Sequence, residues 1–210
     1  MRVIRWFIAA VVIAFVFRLF PLFHIVPLKR ATVEKKATAF NAAQFAEKFW
    51  NGKLLKSLNR AVNAQVLLPA IQTNPAAAKK KFSRSLGLSN SYTYFLSGTG
   101  RVISISGNEI SLAVTAGATN AEIVLETGLI FGDAIRDGTG LLNVNDFADS
   151  QDFNDIAAQL NKMVETRVQP KLREQAKIGA QIYFTGCAEV DDETSDLKPL
   201  KVIPIRTEIR

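Results

Sequence analysis

The densest run of chemically capable side chains lies between Gly128 and Asp155. Asn143, Asn145, Asp146, Asp149, Asp152 and Asp155 set oxygen donors along a short loop and the first turns of a helical pattern. Oxygen is the ligand type that hard cations such as calcium select, but the spacing lacks the Gly at the sixth place and the Glu at the twelfth that an EF-hand loop needs. Acids and amides here are what a helix N-terminus recruits for capping and to complement its dipole. We therefore read a rigid, capped loop with no metal. On this reading Arg136, Asp137, Asn143, Asn145, Asp146, Gln151 and Asp152 form a polar surface for a ligand or partner. Planar amides, carboxylates and an arginine beside an aromatic ring are the set that holds a sugar, and Phe147 and Phe153 are close in sequence.

Other chemistries find less support. His24, the single histidine, lies inside an N-terminal apolar segment, so the rest of the chain has no Ser-His-Asp or Cys-His constellation and no histidine-based metal site. Cys187 falls in a strand pattern without a base to activate it and reads as a buried thiol. Pairs such as Asp146 with Asp152, or Asp191 with Glu193, could serve as acid and base, but no apolar setting singles one out. Neither a phosphate-binding glycine loop nor a Cys-x-x-Cys occurs, and no cofactor is expected.

The elements that must position these residues begin with a membrane address. Arg2 and Arg5 precede an apolar run from Trp6 to Phe17, which resumes after Arg18 and continues to Leu28. Trp6 to Leu28 is long enough to cross a hydrocarbon core of about 30 Å if Arg18 snorkels. The nearest small-x-small cleavage pattern, Ala37-Thr38-Ala39, is too far beyond the apolar core for a signal peptidase, and no cysteine follows that core for lipidation. An uncleaved single-pass anchor in the inner membrane is the result, and the basic flank places the remaining chain in the periplasm. From Lys29 to Asn90 the only acids are Glu34 and Glu47 among many Lys and Arg, whereas acids outnumber bases from Ser91 onward. A basic stretch beside a membrane is drawn to anionic headgroups.

Periodicity divides the rest. Phe40, Ala43, Phe45, Ala46, Phe49, Trp50, Leu54, Leu55, Leu58 and Val62 predict one amphipathic helix from Asn41 to Arg60, and Asn74-Pro75 starts a second that stops at Gly87. Period-two stretches predict strands at 92–96, 101–106, 109–115, 121–127, 180–190 and 200–209, with a long helix after Asp149 that ends or kinks near Pro170. The expected fold class is α+β: an anchor (1–28), a basic helical region (29–90), and an oligonucleotide/oligosaccharide-binding (OB)-like small β-barrel with a long helix between strands (91–210).

Several ordered segments then resemble one family. They are Phe45-Ala46-Glu47-Lys48-Phe49-Trp50, Leu86-Gly87-Leu88-Ser89-Asn90-Ser91-Tyr92, the stretch from Thr127 to Gly140, Asn143-Val144-Asn145-Asp146-Phe147, Gly186-Cys187-Ala188-Glu189 and Asp196-Leu197-Lys198-Pro199-Leu200. Together they resemble the predicted periplasmic lipoproteins of domain of unknown function 2291. The resemblance implies a bacterial envelope protein, often encoded beside sugar-type ABC transporters, without assigned catalytic residues. The expected function is a membrane-anchored, periplasmic, non-enzymatic accessory module that meets transporter subunits or a sugar. Two other classes stand beside it: a carboxylate-dependent hydrolase of envelope glycans, and a cytoplasmic nucleic-acid-binding barrel. Exported topology and the acidic second half argue against nucleic acid as a partner.

Overall fold

The computed structural model describes Trp6, residues 40–86 and residues 91–209. Contacts divide the chain into two units, Met1–Phe40 and Asn41–Arg210, and the second contains the sheet and its helices. The expected anchor, 1–28, lies outside the described residues except for Trp6; among those described, no helix is long and apolar enough to cross a membrane.

The second unit opens with α1 (Ala42–Phe49), whose first turn is closed by Asn41 Oδ1 accepting from the Gln44 amide at 2.9 Å. The run expected to be one helix to Arg60 changes type on the way: a π turn at Trp50–Leu54, where Leu55 N–H bonds to Trp50 C=O, then a 3₁₀ stretch at Leu55–Arg60. These adjustments keep Ala46, Phe49, Trp50, Leu54 and Leu58 all turned inward. After the short strand β1 (Val62–Asn63) comes α2 (Ala64–Thr73), which contains Pro69. A proline in mid-helix disguises the element in the sequence; burial of Leu67, Leu68 and Ile71 offsets the lost hydrogen bond. Asn74 caps α3 (Pro75–Phe82), with Pro75 in the first turn as anticipated. It ends at Ser83, where β2 (Ser83–Arg84) begins.

Next in the chain is β3 (Tyr92–Ser106), a single strand where two were expected. The Gly98 and Gly100 that suggested a break instead admit close neighbours. A Cβ on Gly98 would stand 2.9 Å from the Ala64 Cβ, and one on Gly100 2.9 Å from the Leu112 Cβ. The remaining strands are β4 (Glu109–Ala113), β5 (Ile123–Glu126), β6 (Gln181–Val190) and β7 (Leu200–Ile209). Between β5 and β6 lie α4 (Ala134–Gly138), α5 (Ser150–Arg167) and α6 (Gln169–Gln175), the last two separated at Val168 before Pro170.

The pairings close on themselves. β3 pairs antiparallel with β4, β4 with β5, β5 runs parallel to β7 from Ile123↔Leu200, β7 pairs antiparallel with β6, and β6 returns to β3 from Tyr92↔Val190 to Arg101↔Gln181. β1 and β2 bond to the first half of β3, through Val62↔Leu96 and Ser83↔Tyr94, and cover the edge that β4 does not reach. Helical residues from the expected 29–90 region thus share one sheet and one core with the strands. Inside the ring are Tyr94, Leu96, Val102, Leu112, Leu125, Phe184 and Val202, joined by Leu67 and Ile71 of α2 and Leu172 of α6. β6 is buried on both faces, because Thr185 and Cys187 point away from this core and α4 packs over β6.

Gly186 shows how tightly the ring closes. It sits where the β6–β7 register shifts, and a Cβ there would lie 2.3 Å from the Ile203 carbonyl oxygen. Gly186→Ala should destabilise the protein by about 3 kcal/mol or more, since backbone must move to admit the methyl group. Thermal or urea unfolding measures this, and a loss below about 1 kcal/mol would show that the ring yields more easily than its geometry implies.

Candidate partner-binding surface

Arg136 is the residue whose surroundings depart furthest from expectation. Read as a surface contact, it is instead 3% exposed on α4, with its guanidinium donors spent internally. Nε and Nη2 donate to the two Asp137 carboxylate oxygens at 2.6 and 3.0 Å, and Nη2 also reaches Asp133 at 2.8 Å. Nη1 donates to Asn154 Oδ1 at 3.0 Å and the Phe153 carbonyl at 3.3 Å, while the guanidinium plane lies 3.9 Å over the Phe153 ring. Arg136 therefore ties α4 to the start of α5. Removing Asp137 would leave the buried guanidinium with Asp133 alone, and removing Arg136 would leave two carboxylates facing each other without a cation.

The expected aromatic platform is also turned inward. Phe153 is covered by Arg136, and Phe147 packs between Phe153, 5.3 Å between centroids, and Phe45 of α1 at 5.4 Å. The ring that would have stacked on a sugar holds the loop to the helices. Around it, Asn143 Oδ1 accepts from the Asn145 amide and so starts the 3₁₀ turn Val144–Asp146. Asp149 Oδ1 caps α5 by accepting from the Gln151 amide at 2.8 Å, and Gln151 Nε2 donates to Asp155 at 2.7 Å. Asn143, Asn145, Asp146 and Gln151 are exposed and Asp152 half-buried, so they share one outward stretch, with Asp137 beneath it beside Arg136. Among the described residues, no cluster of His, Cys, Asp and Glu is placed to hold a metal ion.

The neighbouring segment, 127–133, carries a feature absent from the expectations drawn on sequence alone. Leu129 is 76% and Phe131 80% exposed, while Ile130 between them is buried. Helix side chains brace the backbone beneath these two residues. Glu165 accepts from the Ile130 amide at 2.8 Å; Asn161, Gln169 and Arg173 donate to the carbonyls of Gly132, Gly128 and Thr127 at 3.0, 2.8 and 3.1 Å. Gly132 has φ +81°, which glycine adopts without strain. Four polar side chains of α5 and α6 are thus committed to presenting two apolar side chains to solvent in one fixed geometry. A groove of about 450 Å³ runs beside Phe131, walled by Ala157, Ala158 and Lys162, and Asp133 and Asn154 connect it to the Arg136 cluster. Asn161 Oδ1, buried in its lining, has no hydrogen-bond partner among the described residues. Gly-Leu-Ile-Phe-Gly looks like core in sequence. The signal that could have found it is the out-in-out alternation between two glycines within a polar stretch.

A second concavity, about 470 Å³, opens between α2, the 117–122 loop and the turn before β7. Leu68 and Ile71 form its floor; Gln72, Thr119, Asn120 and Lys198 stand at its rim. Glu122 fixes this loop. Against the cost of burial, hydrogen bonds from the Thr115 amide and hydroxyl and the Val114 amide hold its carboxyl below the ordinary range.

Glu189 of β6 has the opposite setting. Burial raises its carboxyl above the ordinary range, and the charges of Asp191, Asp133 and Asp137 raise it further. The folded protein therefore holds a proton here that the unfolded chain releases, so this contribution is full below the ordinary Glu range of about 4.3 and is lost as pH rises through the raised value. Glu189→Gln should accordingly be more stable than the parent at neutral pH, with the difference fading to nothing in acid. Unfolding midpoints measured across pH test this, and a Gln variant that is less stable throughout would refute it. Burial likewise pushes the Cys187 thiol far above its usual range, so the chain's sole cysteine is an inert core residue.

Comparison with known proteins agrees with this architecture. A crystal structure of an OB-fold protein from Thermotoga maritima is similar to the chain, with 27% identity, a TM-score of 0.73, and coverage of 82% of this chain and 100% of that one. The closed order β3-β4-β5-β7-β6, with helices before β6, is accordingly an α+β arrangement of OB type. No curated protein matches the chain. A family model described as "predicted periplasmic lipoprotein" matches residues 10–208, and the chain belongs to that family, domain of unknown function 2291.

Proposed function

We propose that this protein is a single-pass, inner-membrane-anchored module whose periplasmic OB-type barrel docks onto a partner without catalysing a reaction, as an accessory component of a sugar-type ABC transporter. The braced pair Leu129 and Phe131 carries this reading. A monomeric protein that needed only to fold would bury two such side chains or replace them; here four helix side chains are spent on holding them outward. Fixed apolar anchors are what interface hot spots are made of, since little freedom remains to be lost on binding. Asn143, Asn145, Asp146, Gln151 and Asp152 supply a polar rim on the far side of the Arg136 cluster, with Asp137 as the link. The family's description supports the periplasmic setting.

A second reading, binding of a small sugar, is favoured by the cleft at α2, where an apolar floor meets amide and hydroxyl groups at the rim. The two readings differ in where substitutions act: Leu129 and Phe131 for a partner, Gln72 and Asn120 for a sugar.

Topology comes first. A reporter active only outside the cytoplasm, fused after Arg210, should be active and recovered with the membrane fraction; a silent reporter on a chain recovered from the soluble cytoplasm would end the proposal. Leu129→Ser with Phe131→Ser, both at exposed positions, should leave the unfolding midpoint nearly unchanged and abolish co-purification with transporter subunits. Retained co-purification would shift the interface elsewhere, and Asn145→Ala with Asp152→Ala would then test the polar rim.

A further inference from the structure

The helical run that opens the 41–210 unit leaves all four of its cations, Lys48, Lys53, Lys56 and Arg60, exposed. Ala46, Phe49, Trp50, Leu54 and Leu58 are buried, while Lys48, Gly52, Leu55, Lys56, Asn59 and Arg60 are exposed. Lys48, Lys53, Lys56 and Arg60 follow one another along the exposed side of a run that passes from α to π to 3₁₀ turns, a basic stripe defined by exposure and not by a fixed spacing. Glu47 is the one acid between Asn41 and Leu86, and Arg167 takes both of its carboxylate oxygens, at 2.5 and 3.1 Å. No carboxylate lies within ion-pair distance of Lys48, Lys53, Lys56 or Arg60 among the described residues.

Beside the stripe is a groove of about 350 Å³ that shares Leu55 with it. Trp50, Val168 and Ile205 line it with apolar surface, and Lys171, Arg167 and Arg206 stand around it. Arg167 and Arg206 are balanced by Glu47 and Glu208; Lys171 has no acidic partner among the described residues. An apolar slot with cations at its rim, adjoining a leucine within a basic stripe, matches an amphiphile with a negative head. A nucleic acid would suit the lysines but not the slot.

We propose that this face docks on the anionic phospholipid headgroups of the membrane, with the groove receiving the glycerophosphate end of one lipid. The inference rests on the anchored reading for its geometry. Residues 29–40, between the expected anchor and the unit, can span at most about 40 Å when fully extended, so a bilayer that holds the anchor keeps this helix within reach of its surface.

The test uses the full chain with Asn59→Cys carrying an environment-sensitive fluorophore; Cys187, fully buried, stays unlabelled. The labelled chain is placed in nanodiscs of phosphatidylcholine alone or mixed with phosphatidylglycerol. Docking predicts a blue-shifted, iodide-protected label in the anionic discs that reverts at high salt. Lys53→Glu with Lys56→Glu should lower the docked-to-free ratio at least about 25-fold, near fivefold for each cation lost. Lys171→Glu should weaken the retention of a single bound lipid. Identical fluorescence in both lipids would overturn the proposal. So would a shift that inorganic phosphate reproduces in phosphatidylcholine discs, since that would mark a simple anion site. Retention of the chain in phosphatidylcholine discs reports the anchor separately, so failure of the anchor and failure of the docking give different results.

Discussion

The structure depends on one strand serving two neighbours in succession. β3 bonds to β6 along its first ten residues and to β4 along its last, and closure of the ring requires that it bend between these tasks without losing its ladder. Arg101 is where the pairing passes from β6 to β4, and just before it Ala64, Phe184 and Leu112 crowd the backbone at Gly98 and Gly100 and leave no room for a side chain. Closure removes the sheet edges that an open five-stranded sheet would expose, and β1 and β2 cover the stretch of β3 that remains. The 127–133 segment leaves the ring directly after β5, and side chains of α5 and α6 then hold its backbone.

Polar side chains are used here mainly as internal fasteners. Arg136, Glu122, Glu165, Asn161 and Gln169 each spend hydrogen bonds on backbone or on a neighbouring carboxylate, and each holds a loop rather than offering itself to solvent. Two of the outward features differ sharply in kind, an apolar pair on a braced support and a basic stripe along the helical run 42–60. The two present different chemistry and would be met by different partners.

Much of the fold is legible in the residues, and the departures have physical causes. β6 and β7 can be read almost to the residue because their alternation is strong, and Asn74-Pro75 marks α3 because cap and first-turn chemistry is local. β3 reads as two strands because glycine suggests a break, whereas here it answers a tertiary approach that no local window contains. Pro69 hides α2 for a similar reason: its cost is local and the burial that offsets it is not. Arg136 looks like a surface group because the residues that enclose it, Phe153 and Asn154, lie beyond any helical spacing from it. Leu129 and Phe131 look like core because apolar residues usually belong there; only the bonds from α5 and α6 distinguish a presented side chain from a buried one.

The parallel pairing of β5 with β7 has a consequence for how the chain becomes folded. Ile123 meets Leu200 only after the whole helical connection and β6 have been made, so the ring is among the long-range structures whose loop-closure entropy must be met before its contacts form. Until that pairing is made, β3, β4 and β5 form an open sheet whose β5 edge has no neighbour, so β7 decides whether the sheet is a ring at all.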